Sequence, residues 1–345
     1  MNRHRVAVPF LFLLLFAPLV HAQTRDAGTA VRNADLEQRL KAVVAKSSGV
    51  WGVSVKHIER NEFAGINAAD KFQMASVFKV PVLVELFKQV KDGKISLEER
   101  VEWKDAPLYF GSGILVNLDA GLKLTFRDLA TLMITLSDNA ATDMICSRLG
   151  FANITARMRA LGLAKTTVDG GTRDLILLAL GLRGEEYRNV TRDTLRNVDW
   201  SGKAEAIQRN QKLFLDECPN CTTPEEMTSL FEKIATGQAA EKPATEQMLR
   251  ILSQQQFNQR LPRWLPGNVR VEHKTGTLNG PVWVVNDAGI INLPGGQRVI
   301  VSVFSHGTDM ALGPAELKAS ISNAEDRIGE IAKTVYDFYT AAPVK

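Results

Sequence analysis

Apolar positions recur along this chain with two periods, and the alternation between them divides it into blocks. Residues 34–45 place Leu36, Leu40, Val43 and Val44 on one face at helical spacing. Over residues 50–58 the period drops to two. Trp51, Val53 and Val55 then face one way and Ser54 and Lys56 the other, which predicts a half-buried strand. Residues 62–66 supply a hairpin partner across a turn at Glu59, Arg60 and Asn61. From residue 75 to 91, Val80, Val82, Leu83, Leu86 and Phe87 predict an interior helix. If Ser76 begins that helix, Pro81 falls beyond the first turn, leaves one carbonyl unpaired and bends the axis.

The middle of the chain reads as helix. Thr125 and Asp128 have the form of a capping box, followed by Phe126, Leu129, Ala130, Met133 and Ile134 at helical spacing, with an end at Leu136. A second apolar helix carries Ala141, Met144, Ile145 and Leu149. Thr223, Pro224 and Glu226 then form an N-cap, an N1 proline and an N3 glutamate. Beyond Pro266 period two returns. Val269, Val271 and His273 alternate with Arg270, Glu272 and Lys274, and residues 282–292 and 298–305 predict two more strands. Residues 324–339 place Ile328, Ile331, Ala332, Val335 and Tyr336 on one helical face. Strands at both ends with helices between them predict an α/β (α+β) fold: an antiparallel sheet flanked by terminal helices, with an inserted all-helical subdomain. The expected division of one catalytic domain, 23–345, is an α/β part at 33–75 and 266–345 and a helical part at 76–265.

Composition changes this picture mainly at the N-terminus. Arg3, His4 and Arg5 precede an apolar run, residues 6–20, and Val20-His21-Ala22 has the form of a cleavage site, so residues 1–22 read as a secretory signal peptide. The run is short for a membrane span and holds Pro9 and Pro18, so no stable membrane anchor is expected after cleavage. The product is then periplasmic or secreted. The net charge of +4 falls to +2 without Arg3 and Arg5, which argues against a nucleic-acid partner. Of three cysteines, Cys218 and Cys221 can close a local disulfide in an oxidising compartment, leaving Cys146 as a buried thiol. A redox role is the alternative for the Cys-x-x-Cys, but its polar, turn-rich setting disfavours it. His57, His273 and His306 lack metal-ligand spacing, so no metal and no cofactor are expected.

The candidate chemistry begins with Ser76 and Lys79, three apart and hence on one face of a helix. A serine becomes nucleophilic once a neighbouring base takes its proton. Two further clusters follow: Ser137-Asp138-Asn139 between helices, and Lys274-Thr275-Gly276 at the end of a strand, its glycine marking a close backbone approach. Ser76-Val77-Phe78-Lys79, Ser137-Asp138-Asn139 and Lys274-Thr275-Gly276, in this order, resemble the serine β-lactamase and penicillin-binding protein superfamily, most nearly class A β-lactamases. The resemblance covers nearly all of the mature chain and implies a β-lactamase/transpeptidase-like fold.

Opening an amide requires a nucleophile, a base, a proton donor for the leaving nitrogen and a site for the oxyanion. Ser76 is the expected nucleophile, and Lys79 the base if burial or a neighbouring cation lowers its pKa. Ser137 and Lys274 are expected to pass a proton to the leaving nitrogen, Lys274 also attracting a substrate carboxylate. Asn139 is expected to hold Lys79 or the substrate, with Thr275, Gly276 and Thr277 on the binding wall. The resemblance further implies an oxyanion hole at the amides of Ser76 and Thr277 and an aromatic rim at Tyr109 and Phe110. An ordinary loop is the alternative reading of that rim.

One stretch departs from the class A pattern. Where those enzymes carry Leu-Asp-Arg-x-Glu-x-x-Leu-Asn, this chain has Val168-Asp169-Gly170-Gly171-Thr172-Arg173-Asp174-Leu175-Ile176. Thr172 replaces the deacylating glutamate, and a hydroxyl is no carboxylate base at neutral pH. Asp174, Glu185, Glu186, Asp193 and Asp199 are alternative carboxylates, or plain surface charges. Three functions stay open: a β-lactam hydrolase with a relocated or inefficient base, a D,D-peptidase acting on peptidoglycan-like peptides, or a penicillin-binding sensor that stays acylated. In each the partner is a small β-lactam or peptide, and a monomer is expected.

Overall fold

A computed structural model of the chain describes residues 30–104, 109, 111–182, 187, 189–197, 204–279, 282–308 and 314–341. The signal-peptide residues, Phe110, Glu185, Glu186 and Asp199 lie outside the described residues. The strands are β1 (Val31–Arg32), β2 (Val50–His57), β3 (Glu62–Ile66), β4 (Phe72–Gln73), β5 (Arg100–Glu102), β6 (Lys123–Thr125), β7 (Cys221–Thr222), β8 (Val271–Leu278), β9 (Val282–Asn292) and β10 (Arg298–Thr308). The helices are α1 (Ala34–Val44), α2 (Lys79–Lys91), α3 (Phe126–Thr135), α4 (Asn139–Leu149), α5 (Phe151–Ala160), α6 (Thr172–Ala179), α7 (Arg192–Arg196), α8 (Ala204–Glu217), α9 (Pro224–Ala235), α10 (Lys242–Leu252) and α11 (Pro314–Thr340).

The main sheet runs β1-β3-β2-β10-β9-β8, antiparallel except for β1 beside β3. Trp51, Val53 and Val55 pack on one face against Leu36 and Leu40 of α1 and Ile328, Ile331 and Val335 of α11. The other face is closed too, so β2 is buried on both sides rather than half-buried. Thr228 of α9 closes that face, its hydroxyl within 3.4 Å of the Ser54 carbonyl and 2.9 Å of Ser302 Oγ. A second core gathers the central helices around Phe78, Leu83, Phe126, Met133 and Phe231.

Three boundaries differ from the sequence pattern for identifiable reasons. A 3-10 turn, Ala75–Phe78, precedes α2, so Pro81 sits in the first turn of α2, where its missing N–H has no intrahelical partner to lose. No carbonyl need be left unpaired by it. β8 continues to Leu278, which sets Lys274-Thr275-Gly276 inside the strand. α11 starts ten residues earlier than expected, because Leu317 and Ile321 extend its apolar face. Capping went as the sequence requires: Thr125 and Asp128 form the box at α3, and the Thr223 side chain accepts from Glu226 N at α9. Among the described residues no helix is long and apolar enough to cross a membrane.

Candidate active site

β8 is an edge strand, and its free side borders the 3-10 turn that carries Ser76. A Cβ on Gly276 would lie 2.5 Å from Met74 O and 3.1 Å from Ser76 N, so only glycine lets the two backbones touch. Asn286, opposite Gly276 on β9, clamps the same place by donating to Gln73 O at 2.8 Å and Met74 O at 3.1 Å. Ala75 takes φ 44°, a left-handed conformation that costs a non-glycine residue about 1–3 kcal/mol. The bend it makes presents Ser76 to a cavity of about 570 Å³ that Ser112, Ser137, Asn139, Thr275 and Thr277 also line.

Lys79 begins α2 and is buried behind Ser76. Its Nζ donates to Ser137 O at 2.7 Å, Ser137 Oγ at 3.1 Å and Asn139 Oδ1 at 2.9 Å. Ser137 reaches it through a second left-handed residue, with φ 52°. Burial lowers the Lys79 pKa to about 7, partly opposed by the charges of Asp143 and Asp138. A neutral amine is therefore accessible near neutral pH. Among the described residues no hydrogen bond joins Lys79 directly to Ser76 Oγ.

Asp138 is the hinge of this cluster. Its Oδ1 caps α4 by accepting from Ala141 N at 3.0 Å, and its Oδ2 accepts from Ile114 N at 2.7 Å and Leu115 N at 2.9 Å. This pins the loop 111–115 over the site, and a Cβ on Gly113 would strike the Asp138 carboxylate at 2.4 Å. Ser112 Oγ then donates to Ser137 O at 2.7 Å. Lys274 is also fully buried, and its Nζ donates to Thr275 O at 2.8 Å. Burial, and then the Lys79 charge, hold its pKa well below the usual lysine value. Ser137 and Lys274 are not directly hydrogen-bonded among the described residues. Tyr109 packs on Trp103, with ring centroids 5.3 Å apart, while the cavity wall is made by other residues.

Thr172 lies at the cavity as the first residue of α6, but it is engaged from behind. Its N–H donates to Asp143 Oδ1 at 2.6 Å and its Oγ1 to Asp143 Oδ2 at 2.8 Å, while Arg173 N donates to the same Oδ2 at 3.1 Å. Burial pushes the Asp143 carboxyl up against these donors. Asp143 escaped the sequence reading, although its i+4 spacing from Asn139 could have revealed it. Of the alternative carboxylates, Asp174 accepts from Gly171 N at 3.3 Å, and Asp193 is an exposed partner of Arg196.

Arg260 was also missed, because it precedes β8 in a stretch without periodicity. It is buried beside the cavity, donating to Gly276 O at 2.8 Å, Asn286 O at 2.7 Å and Thr277 Oγ1, and pairing with Glu325 at 3.1 Å. Cys218 and Cys221 are disulfide-bonded and Cys146 is a buried free thiol. Between the bonded cysteines, Asn220 Oδ1 accepts from Asp169 N at 2.6 Å and Gly170 N at 3.1 Å, while Met74 N donates to Asn220 O at 3.1 Å. One small loop thus ties the approach to Ser76 to the approach to Thr172.

Comparison with known proteins agrees with this geometry. The model of the β-lactamase enzyme family matches residues 35–339. The β-lactamase VEB-1 of Pseudomonas aeruginosa is 25% identical over 337 residues, covering 95% of this chain and 96% of its own. A β-lactamase structure from Sphaerobacter thermophilus superposes with a TM-score of 0.69 at 25% identity, covering 90% of this chain and 98% of that one. A mutant of PBP-A in an acyl-enzyme complex with penicillin G shares the fold, with a TM-score of 0.70 at 22% identity over 91% of this chain and 99% of that one.

Proposed function

The chain belongs to the β-lactamase enzyme family and is a class A-like serine hydrolase, and from that premise we propose that Ser76 opens the amide of a β-lactam through an acyl-enzyme. The observation that carries this reading is Lys79: a buried amine with a pKa of about 7, one residue beyond the turn that presents Ser76. Neutral Lys79 takes the Ser76 proton as Oγ bonds to the carbonyl carbon. The charge that develops on the carbonyl oxygen falls where the 3-10 turn meets β8, within reach of the Ser76 and Thr277 amides. When the C–N bond breaks, the nitrogen receives a proton from Ser137, which Lys79 restores at 3.1 Å. Lys274 is the cation on the β8 side for a substrate carboxylate, while Arg260 is already paired with Glu325 and braces the Gly276 and Asn286 carbonyls. Water then cleaves the ester, releasing the acid and regenerating Ser76.

The test is incubation with a chromogenic β-lactam, followed by colour and intact mass. Continued turnover, or a mass adduct that Ser76→Ala abolishes, is expected. Absence of both sinks the assignment.

A second reading rests on a specific observation. Among the described residues, the carboxylates nearest the Thr172 wall are occupied by Thr172, Arg173 and Gly171. Acylation is therefore expected to outrun deacylation. A persistent Ser76 adduct would favour a D,D-peptidase acting on peptidoglycan peptides, or a penicillin-binding sensor. In either reading residues 1–22 are a cleaved signal peptide, the product is a periplasmic or secreted monomer without a membrane anchor, and the helical part at 76–265 is an insert in the α/β part. Size-exclusion chromatography and N-terminal sequencing of the exported product check these points.

A further inference from the structure

A second cavity, of about 510 Å³, lies at the far end of α2 from the reacting groups. Phe87 and Val90 of α2, Leu97, Ala239 of the α9–α10 connection and Ala244 of α10 give it an apolar floor. At a helical rise of about 1.5 Å per residue, Lys91 at its edge is about 18 Å along α2 from Lys79. No group of the acyl-transfer chemistry lines it. Its volume falls in the range of ligand sites, which are commonly about 300–1,000 Å³.

Four charged side chains line this cavity, and three of them are paired off. Lys91 pairs with Glu241, and Lys88 with Asp92 one turn further along the chain. Arg157 of α5 has no ion pair among the described residues. Its Nη2 donates to Ala239 O at 2.7 Å, and its Nε is buried with no hydrogen-bond partner among them. The neighbouring Glu85 does not satisfy it. Burial pushes the Glu85 carboxyl up, and that carboxyl accepts instead from Gln89 Nε2 at 2.8 Å. A buried donor left unpaired is costly, and a ligand that brings an acceptor removes the cost. One uncompensated positive charge over an apolar floor matches a monoanion with an apolar body.

We infer that this cavity binds a monocarboxylate with an apolar tail, its head on the Arg157 guanidinium and its tail over Phe87 and Leu97. The site is separate from Ser76 and stands whether or not Ser76 is acylated.

The test is isothermal titration of the unaltered protein with octanoate, octan-1-ol and acetate. Octanoate is expected to bind about tenfold or more tighter than either, because it alone brings both the charge and the tail. Arg157→Gln is expected to weaken octanoate about tenfold or more. Glu241→Gln removes the lining carboxylate and frees Lys91, so it is expected to tighten octanoate about two- to fivefold, and Lys91→Gln to weaken it by a similar factor. Lys274→Gln, which removes a cation of the catalytic cavity, is expected to leave the affinity unchanged. Octanoate binding no tighter than octan-1-ol, an affinity that survives Arg157→Gln, or one lost in Lys274→Gln overturns the inference. If Arg157→Gln fails to fold, the exposed pair decides, and an octanoate affinity that moves with neither Lys91→Gln nor Glu241→Gln overturns it.

Discussion

The two sides of the cavity at Ser76 use their polar groups differently. On the side of Ser76, Lys79, Ser137 and Lys274, two amines are buried and two left-handed residues, Ala75 and Ser137, aim backbone and hydroxyl groups at the reaction. On the side of Asp143, Thr172 and Asn220, polar groups satisfy one another: Asp143 accepts from three donors of the α6 start, and Asn220 holds Asp169 and Gly170. Left-handed backbone occurs on both sides, since Asn220 takes φ 52°, so the difference lies in the side chains: buried amines on the first, groups that hold a loop in place on the second. Under the proposed function, acylation would fall to the first side, while on the second the carboxylates of Asp143 and Asp174 are already engaged among the described residues.

The largest expected effect tests the first side. Lys79→Ala should slow acylation by about 10²–10⁴-fold, the usual contribution of a positioned base. In the unaltered protein the pKa of about 7 means that the neutral fraction rises with pH. The acylation rate should therefore climb about tenfold per pH unit below 7 and level off above it. The same shift has a sign in stability. Between about 7 and the ordinary value of 10.5 the unfolded chain holds the proton and the folded chain has lost it, so stability should rise with pH across that window. Stopped-flow acylation from pH 5 to 9 checks the rate. A flat profile removes Lys79 as the base.

The next effect tests the second side. Thr172→Glu alone would set a second carboxylate against Asp143, and two carboxyls in one buried site do not both ionise. Asp143→Asn combined with Thr172→Glu should raise steady-state turnover about tenfold or more over Thr172→Glu alone, because the new glutamate is then free to accept a proton from water. The two changes should be non-additive in a double-mutant cycle. Additive effects, or fast deacylation in the unaltered protein, would place the base elsewhere.

How far the sequence revealed each side follows from the kind of contact involved. Ser76, Lys79 and Ser137 lie in short clusters at element boundaries and Lys274 in a short cluster inside β8, and in each local spacing carries the information. The strands and capping residues at 125–128 and 223–226 were legible for the same reason. Asp143 was legible in principle, since it follows Asn139 by one helical turn. Arg260, Asn286 and Asn220 were not, because their partners at positions 276–277, 73–74 and 169–170 are brought to them by tertiary folding alone. The burial of β2 on both faces was equally hidden, since its polar Ser54 meets Thr228 from a helix 174 residues away.

A smaller effect probes the tie between the sides. Replacing both Cys218 and Cys221 with serine removes a crosslink across a very short loop, for which chain entropy gives roughly 2 kcal/mol of stability. Because that loop holds residues 74 and 169–170 together, the melting temperature should fall while the pH limb assigned to Lys79 stays near 7. A shifted limb would mean that the loop sets the electrostatics of the first side as well as its position.

The smallest effect concerns whether a carboxylate reaches the ester from outside. Asp193 lies on α7, with its side chain 80% exposed and its Arg196 partner 70% exposed, 3.6 Å away. An exposed pair of this kind contributes at most about 1 kcal/mol, and a solvated carboxylate has no reason to point at a buried ester. Asp193→Asn should therefore leave both the melting temperature and the decay of the Ser76 adduct unchanged within error. Slower adduct decay in that variant would place α7 over the acyl-enzyme, bringing a base to the side where, among the described residues, Asp143 and Asp174 are already engaged.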